Sequence, residues 1–168
     1  SPDTPLYRQQ WPTTLPASFF DDLSGQPNAV RTYKELSDGA YGRIPMERRD
    51  MWHNHVNYYL NCMLDVDRHI GTVLDALEQS GQDKNTIIIF TSDHGEMGGA
   101  HHLRQKGSVA FKETVNVPMM IVDPRQPGGT RTDAVGSHLD LAPTILAFSG
   151  LSAEGRRQTY PFLKGHDL

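Results

Sequence analysis

Two side chains that commonly bind metal ions, Asp93 and His94, follow the apolar run at residues 87–90 after Thr91 and Ser92. Such a run of β-branched and aromatic residues is typical of a strand that is covered on both faces of a sheet. In open α/β sheets, ligands bind at the carboxyl ends of the strands. A carboxylate beside an imidazole suits a hard or borderline divalent ion. Lys106, 13 positions after Asp93, could hold an anion next to that ion.

The same Asp-His-Gly tripeptide can also form an ordinary turn, because Asp accepts hydrogen bonds from the following backbone and Gly adopts a left-handed conformation. The surrounding sequence favours the metal site. Glu96, His101 and His102 are further potential ligands, and they follow within the same glycine-rich loop. We therefore expect a divalent-ion site at this loop rather than a turn alone.

The motifs around this pair form an ordered series along the chain: residues 67–71, 90–97, Lys106, Glu113, 117–118 and 140–144. Together they resemble the sulfatase family, which belongs to the alkaline-phosphatase-like superfamily, and the resemblance spans residues 53–168. A series of this length is more specific than any single motif. Residues 1–50 resemble, more weakly, a Pro- and Tyr-rich loop of choline-sulfatase-like and phosphonate-monoester-hydrolase-like members.

The resemblance implies an α/β fold with an alkaline-phosphatase-like, mainly parallel sheet flanked by helices, of which this chain holds only a part. It implies that Asp93 and His94 bind a divalent metal ion, with Ca²⁺ preferred and Mg²⁺ or Mn²⁺ as alternatives. Lys106 would contact the sulfate oxygens, and His101 matches a histidine of the same loop whose role is open. Both are candidate catalytic residues.

The implied activity is the hydrolysis of sulfuric esters. Phosphonate or phosphate diester hydrolysis is the close alternative, because sulfate and phosphate share a tetrahedral shape. A non-catalytic module that binds a metal ion or a partner is the alternative from a different functional class. The sequence does not choose among the individual esters.

The sequence departs from the family at the nucleophile, which members carry in a Cys/Ser-x-Pro-x-Arg motif as the precursor of formylglycine. The only cysteine, Cys62, lacks this context. The family's first pair of metal-binding aspartates is also missing, and we interpret Asp21 and Asp22 as a solvated loop pair. We expect this chain to be the second half of a catalytic domain, inactive in isolation, with the nucleophile half upstream of Ser1.

Composition limits the partners of the protein. The net charge is −4, which argues against nucleic acid or an anionic membrane as a partner. No apolar stretch approaches the roughly 20 residues of a membrane span, and one cysteine excludes an internal disulfide framework. We expect a small-molecule or carbohydrate sulfate ester as substrate, and the upstream half or a complementary chain as partner. Self-association and compartment (periplasmic, secreted or cytoplasmic) stay open.

Proline and aromatic residues distinguish two regions. Residues 1–50 are predicted to be an irregular segment that packs on the catalytic domain. Residues 51–168 are predicted to be the C-terminal part of the sulfatase-like α/β domain. If the upstream half is absent, we expect the isolated chain to be unstable, associated with a complementary chain, or extracted from a longer polypeptide.

Apolar spacing and turn residues predict helices at residues 30–36 and 46–80, strands at residues 86–91 and 117–122, and a helix between Asp140 and Gly150. Asp140 should cap that last helix, whose buried face would include Leu141, Ile145, Leu146 and Phe148. Residues 151–168 should be loop-like. Gly71, inside the long helix, suggests close packing.

Four other residues could also bind a metal ion, but we do not assign them to the site. We expect Glu113 to be solvated or ion-paired, and we leave His53 and His55 outside the site. His138 is a weak candidate that ranks below His101.

Overall fold

The computed structural model describes residues 8–168, so Pro2, Pro5 and Tyr7 of the predicted irregular segment lie outside the described residues. The helices are α1 (Asn28–Tyr41), α2 (Arg49–Gln79), α3 (Lys112–Val115), α4 (Leu141–Phe148) and α5 (Ala153–Thr159), and the strands are β1 (Ile88–Thr91) and β2 (Met119–Val122). Short 3-10 turns lie at Ala17–Phe20, Asp83–Asn85, Ala100–His102 and His138–Asp140. This mixture of helices and strands confirms the predicted α/β class.

The chain divides into two compact units, the first ending at Gln126 and the second comprising Pro127–Leu168. The buried apolar cluster of the first unit contains Leu23, Met97, Ala100, Leu103 and Val109. Four of these five residues come from the segment that follows β1. The candidate metal loop is therefore continuous with the core of its unit. The predicted division near residue 50 stays a prediction.

The long helix α2 confirms the helix predicted at residues 46–80, but its apolar stripe does not face the described core. Tyr59, Met63, Val66, Val73 and Leu74 are exposed, whereas Trp52, Asn57 and Asn61 are buried. The period of a sequence pattern reports a helix, and it does not identify what covers each face. The helix predicted at residues 30–36 is also present, as the longer α1.

β1 and β2 pair antiparallel, with Ile88 opposite Val122 and Thr91 opposite Met119. Their direction differs from the mainly parallel sheet that the sequence predicted. An apolar run indicates a strand but not its direction. The connection between the two strands, residues 92–118, contains the 3-10 turn Ala100–His102 and the one-turn α3, and not the long helix that usually joins parallel neighbours. Phe90, Met120 and Val122 remain exposed among the described residues.

Glycines end two helices as predicted, since Gly81 follows α2 and Gly150 follows α4 with φ of +70° and +92°. The prediction of close packing at Gly71 is wrong. A Cβ atom built at this helical position would meet no described atom within 4 Å. Open space, rather than a neighbouring element, surrounds this residue.

Asp140 organises the second unit, although not as a side-chain cap of α4. It occupies the N-cap position of α4, but its carboxylate accepts the backbone N–H groups of Ser137 (2.7 Å) and His166 (2.7 Å). Sequence could not predict the contact with His166 because the two residues lie 26 positions apart. Ile145, predicted to be buried, is exposed because the buried face of α4 is formed by Pro143 and Thr144.

The segment predicted as loop-like at residues 151–168 contains α5, so that prediction is wrong for Ala153–Thr159. The Ser152 hydroxyl accepts the Gly155 N–H at 3.1 Å and caps the helix. Glu154 then accepts hydrogen bonds from Arg157 and Gln158 on the next turn. Local polar contacts, rather than an apolar period, therefore stabilise this helix.

Within residues 8–168, none of the helices combines the length and the apolar character needed to cross a membrane.

Candidate metal and anion site

The loop at residues 92–107, here called the site loop, is held against the start of α3. The Gly95 N–H donates to the Thr114 carbonyl at 2.9 Å. A Cβ atom at Gly95 would lie 2.0 Å from the Glu113 carbonyl oxygen. Only glycine permits this approach of two backbone segments. The residue after His94 therefore fixes the distance between the candidate metal ligands and α3.

Glu96 closes the site loop from within. Its Oε1 atom accepts the N–H groups of Gly98 at 3.2 Å and Gln105 at 2.6 Å. The Met97 N–H also donates to the Gln105 carbonyl at 3.0 Å. These bonds bring the two ends of the excursion together and rigidify it.

His55 of α2 approaches Glu96, with 3.7 Å between Nε2 and Oε1. This separation suits an ion pair but is too long for a hydrogen bond. Burial tends to raise the pKa of Glu96, but His55 and the two backbone N–H groups outweigh it and hold that pKa below its ordinary value. Glu96 is therefore a structural carboxylate of the loop and a link to α2.

Asp93 and His94 lie together, with 3.2 Å between Asp93 Oδ2 and His94 Nε2. The other ring nitrogen, His94 Nδ1, is 2.8 Å from the Gly95 carbonyl oxygen. A carbonyl accepts only from a protonated nitrogen, so this contact places a proton on Nδ1. Asp93 Oδ2 and His94 Nε2 are close enough together to serve as two ligands of one metal ion.

The electrostatics of the pair suit a cation. The backbone N–H of His94 is the main cause that holds the pKa of Asp93 below its ordinary value, and the charges of His94 and Lys106 act in the same direction. Asp93 is therefore ionised at neutral pH and its side chain is 81% exposed. The ionised and exposed carboxylate can therefore bind a cation.

Lys106 is carried by the same loop as Asp93, and its charge makes a small contribution to the lowered pKa of that carboxyl. Its neighbour Gly107 has a φ of +55°, and a Cβ atom there would lie 2.1 Å from the Tyr33 ring. The Tyr33 hydroxyl donates to the Arg104 carbonyl at 3.3 Å. Tyr33 thus supports the backbone on which Lys106 is carried.

His101 is paired with Asp21, with 2.6 Å between His101 Nδ1 and Asp21 Oδ2. Its ring stacks on Phe111 at a centroid distance of 4.0 Å. The interpretation of Asp21 as part of a solvated pair is wrong, because the chain turn after Phe20 brings it to the site loop. Asp22 is exposed, as predicted, and accepts hydrogen bonds from Ser24, including that of its N–H at 2.8 Å.

The structure also differs from the expectation that Glu113 is solvated or ion-paired. Its Oε2 atom is buried and has no hydrogen-bond partner among the described residues, although the residue as a whole is only half-buried, so at least this oxygen is not solvated. An unpartnered buried carboxylate oxygen is costly. His53, left outside the site, is 2.7 Å from the Thr13 hydroxyl, and this contact gives it a structural role.

The donors Asp93 and His94 could provide only part of the ligand set of a metal ion. No group of three or more His, Cys, Asp or Glu side chains in the described part of the chain is arranged to hold a metal ion. Asp93 and His94 provide two convergent donors, and divalent ions need at least four. The remaining donors would have to come from elsewhere.

Sequence reasoning missed Asp21, Phe111 and the bridging role of Glu96. Asp21 lies 80 positions from His101, and no local pattern reports such a pairing. The role of Glu96 has no local signal either, because its hydrogen bond with the Gln105 N–H joins residues nine positions apart.

Comparison with known proteins points to one protein family. The family model described as Sulfatase matches residues 4–151. The Escherichia coli (strain K12) protein described as uncharacterized sulfatase YidJ is 36% identical over 133 residues, which cover 78% of this chain and 24% of that protein. The N-acetylglucosamine-6-O-sulfatase of Bacteroides thetaiotaomicron is 35% identical over 101 residues, covering 60% of this chain and 18% of that protein.

A solved structure has the same fold over most of the chain. It is the structure of BT4656 in complex with its substrate D-glucosamine-2-N,6-O-disulfate. The TM-score is 0.58 at 25% identity, and the match covers 93% of this chain and 43% of that one. The chain thus spans 24% and 18% of the length of the two curated relatives.

Proposed function

The chain belongs to the sulfatase family, within the alkaline-phosphatase-like superfamily, and on this basis we propose that it supplies part of the metal and sulfate site of a metal-dependent sulfuric ester hydrolase. The observation that carries the proposal is the approach of Asp93 Oδ2 to His94 Nε2 at 3.2 Å, in a loop that also carries Lys106, whose charge helps to lower the pKa of Asp93. This arrangement binds a cation and an anion side by side.

Asp93 and His94 would hold a divalent ion, with Ca²⁺ preferred and Mg²⁺ or Mn²⁺ as alternatives. A bound ion of this kind acts as a Lewis acid on an ester oxygen. The Nδ1 contact with Gly95 fixes the His94 ring for that task. Asp93 needs no deprotonation step, because its pKa is already lowered, chiefly by the His94 N–H.

Lys106 would bind the sulfate group. Its ammonium group is a compact positive charge with three donors, which suits a tetrahedral anion. It would stabilise the negative charge that grows on the sulfate and leaving-group oxygens in the transition state. The Gly107–Tyr33 contact positions its backbone.

The nucleophile and the remaining metal ligands would come from residues outside this sequence. No Cys/Ser-x-Pro-x-Arg motif is present, and the described residues provide only two convergent metal donors. We therefore propose that these residues do not catalyse hydrolysis by themselves. The substrate class that we favour is a sulfated carbohydrate, because the matched structure holds a glucosamine disulfate.

The proposal is tested by Asp93→Asn in the complete polypeptide that carries this chain, with Asp75→Asn as the control. Asp75 is an exposed carboxylate of α2. We expect Asp93→Asn to lose bound divalent metal, measured by mass spectrometry of the purified protein, and to lose hydrolysis of sulfate esters. The control should retain both. Full metal occupancy in Asp93→Asn would contradict the ligand assignment, and faster turnover of phosphonate than of sulfate esters by the wild type would contradict the substrate class.

A further inference from the structure

A cavity of about 310 Å³ in the second unit is lined by residues of α5 and of the segment 160–167. Its walls are fixed by backbone contacts. The Tyr160 N–H donates to the Arg156 carbonyl at 2.7 Å, which turns the chain back after α5. A Cβ atom at Gly165 would lie 2.1 Å from the Leu139 carbonyl oxygen, so the C-terminal segment packs tightly against the residues before α4. The cavity is therefore a built feature of the folded unit.

The side chains that line this cavity carry more positive than negative charge. Arg156, Arg157 and Lys164 contribute three permanent positive charges, and Asp167 contributes the one carboxylate of the lining. Arg157 is paired with Glu154, which does not line the cavity. A concave surface with an excess of one sign of charge concentrates ions of the opposite sign. The lining therefore favours an anion.

Arg156 has a hydrogen-bond donor without an acceptor at this wall. The residue is 8% exposed, and its Nη2 atom donates to the Asp167 carboxylate. Both residues line the cavity, so their ion pair forms part of the wall. Nη1 is bonded to the same guanidinium carbon, and it is buried with no hydrogen-bond partner among the described residues. Leaving a buried charged donor unpaired is costly, and an anion bound beside this ion pair would supply the acceptor.

The other side chains of the lining suit the body of a small organic ligand. Pro143, Tyr160 and Leu163 contribute apolar and aromatic surface. The volume lies at the lower end of the range for small-molecule sites, roughly 300–1,000 Å³, which combine apolar walls with a few polar groups. A ligand with one anionic group on a single sugar ring matches both the size and the lining.

We propose that the second unit binds a sulfated monosaccharide in this cavity, with the sulfate group on Arg156 and Lys164 and the sugar ring against Tyr160. Guanidinium and ammonium groups are the usual protein donors to tetrahedral anions. The choice of a sulfate ester rests on the proposed function, whereas the anion site rests on the cavity itself. The lining includes neither the proposed metal ligands nor Lys106, so this is an additional binding site.

The test is calorimetric titration of the complete polypeptide with N-acetylglucosamine 6-sulfate, in an Asp93→Asn/Lys106→Ala background that removes the contacts of the candidate metal and anion site. We expect saturable binding. Arg156→Gln and Lys164→Gln should each weaken it about 10-fold or more, because each removes a charged donor. Lys164 is exposed, so its substitution tests the site even if Arg156→Gln impairs folding. The matched control is Arg131→Gln, at an exposed residue of the same unit outside the lining, and it should retain the affinity.

Two further ligands test the chemistry of the site. N-acetylglucosamine without sulfate should not bind, and inorganic sulfate should bind more weakly than the sugar ester. Equal affinities for inorganic sulfate and the sugar ester would indicate an adventitious ion only and would overturn the proposal.

Equal affinities of Lys164→Gln and Arg131→Gln for the sugar ester would also overturn the proposal. The proposed function is tested separately, by hydrolysis in the metal-loaded wild type. A wild type that hydrolyses no sulfate ester, while the cavity still binds the sugar ester, would refute the proposed function and support the additional site.

Discussion

Gly95 shows how one atom controls the candidate site at the residue scale. A Cβ atom there would lie 2.0 Å from a backbone oxygen of Glu113, and a backbone oxygen cannot rotate away as a side chain can. The same residue accepts the Nδ1 contact of His94 through its carbonyl. Any displacement of this backbone therefore moves a proposed metal ligand directly.

Gly95→Ala is expected to destabilise the protein by about 1–3 kcal/mol, because it forces overpacking between two backbone segments. It should also weaken metal binding by displacing His94. Calorimetric titration with Ca²⁺ and thermal unfolding of the complete polypeptide measure the two effects. An alanine variant with unchanged Tm would show that the site loop can separate from α3 without cost.

Lys106→Ala is expected to lower kcat for sulfate esters by about 10²–10³-fold, because it removes a charge that stabilises the transition state. Lys84→Ala, at an exposed turn before β1, is the matched control and should retain the wild-type rate. Steady-state kinetics with a saturating ester distinguishes the two. If the two variants had equal rates, Lys106 would not belong to the site.

The residue types in the sequence predicted the candidate site residues better than the residues that hold them in place. Asp93, His94 and Lys106 are conspicuous because they follow a strand in a loop of ligand-type side chains. Asp21 is not, because its role exists only when residues 17–21 fold against residues 100–102 in three dimensions. Glu113 shows the same limit, since nothing local in the sequence reveals that one carboxylate oxygen is buried.

At the scale of elements, α2 holds the irregular segment before α1 through hydrogen bonds. The Asn57 Oδ1 atom accepts the Trp11 N–H at 2.6 Å, and Asn61 Nδ2 donates to the Gln9 carbonyl at 3.0 Å. Buried amides thus bind a chain segment that has no regular structure of its own. Polar residues, rather than the apolar stripe, determine which face of α2 this segment occupies.

Gly71→Ala is expected to stabilise the protein by about 0.5–1 kcal/mol, because glycine has a low helix propensity and the position is sterically open. Chemical denaturation monitored by circular dichroism measures this change. Destabilisation by alanine would mean that another chain or segment packs closely at this position.

The sequence predicted the helices and strands better than it predicted how the strands pair. The period of α2 and the apolar runs of β1 and β2 are local signals, so their existence could be inferred. The antiparallel direction of the strands depends on the connection between them, which a pattern does not describe. α5 escaped prediction because its helix is stabilised by contacts of Glu154 with Arg157 and Gln158, not by an apolar face.

At the scale of the whole molecule, the two compact units differ in how they are held together. The first has an apolar cluster built on the site loop. In the second, Asp140 is buried and its carboxylate ties the start of α4 to the C-terminal segment through His166. A charged hydrogen-bond centre takes the place that apolar residues hold in the first unit.

The Asp140 contacts predict an acid-sensitive second unit. The His166 N–H, followed by that of Ser137, holds the pKa of Asp140 below its ordinary value. A lowered pKa means that the stabilisation is complete above about pH 4, the unfolded value, and is lost as the pH falls through the folded value. The His166 amide proton should shift over that range in wild-type NMR spectra but not in Asp140→Asn. A wild-type signal that does not titrate would contradict this role.

The pairing of residues 80 positions apart, Asp21 with His101, also has a kinetic meaning. Contacts of large sequence separation form slowly, since a long loop must close before they contribute any stabilisation. The contact between Asp21 and His101 should therefore form late in folding, after the helices have already formed.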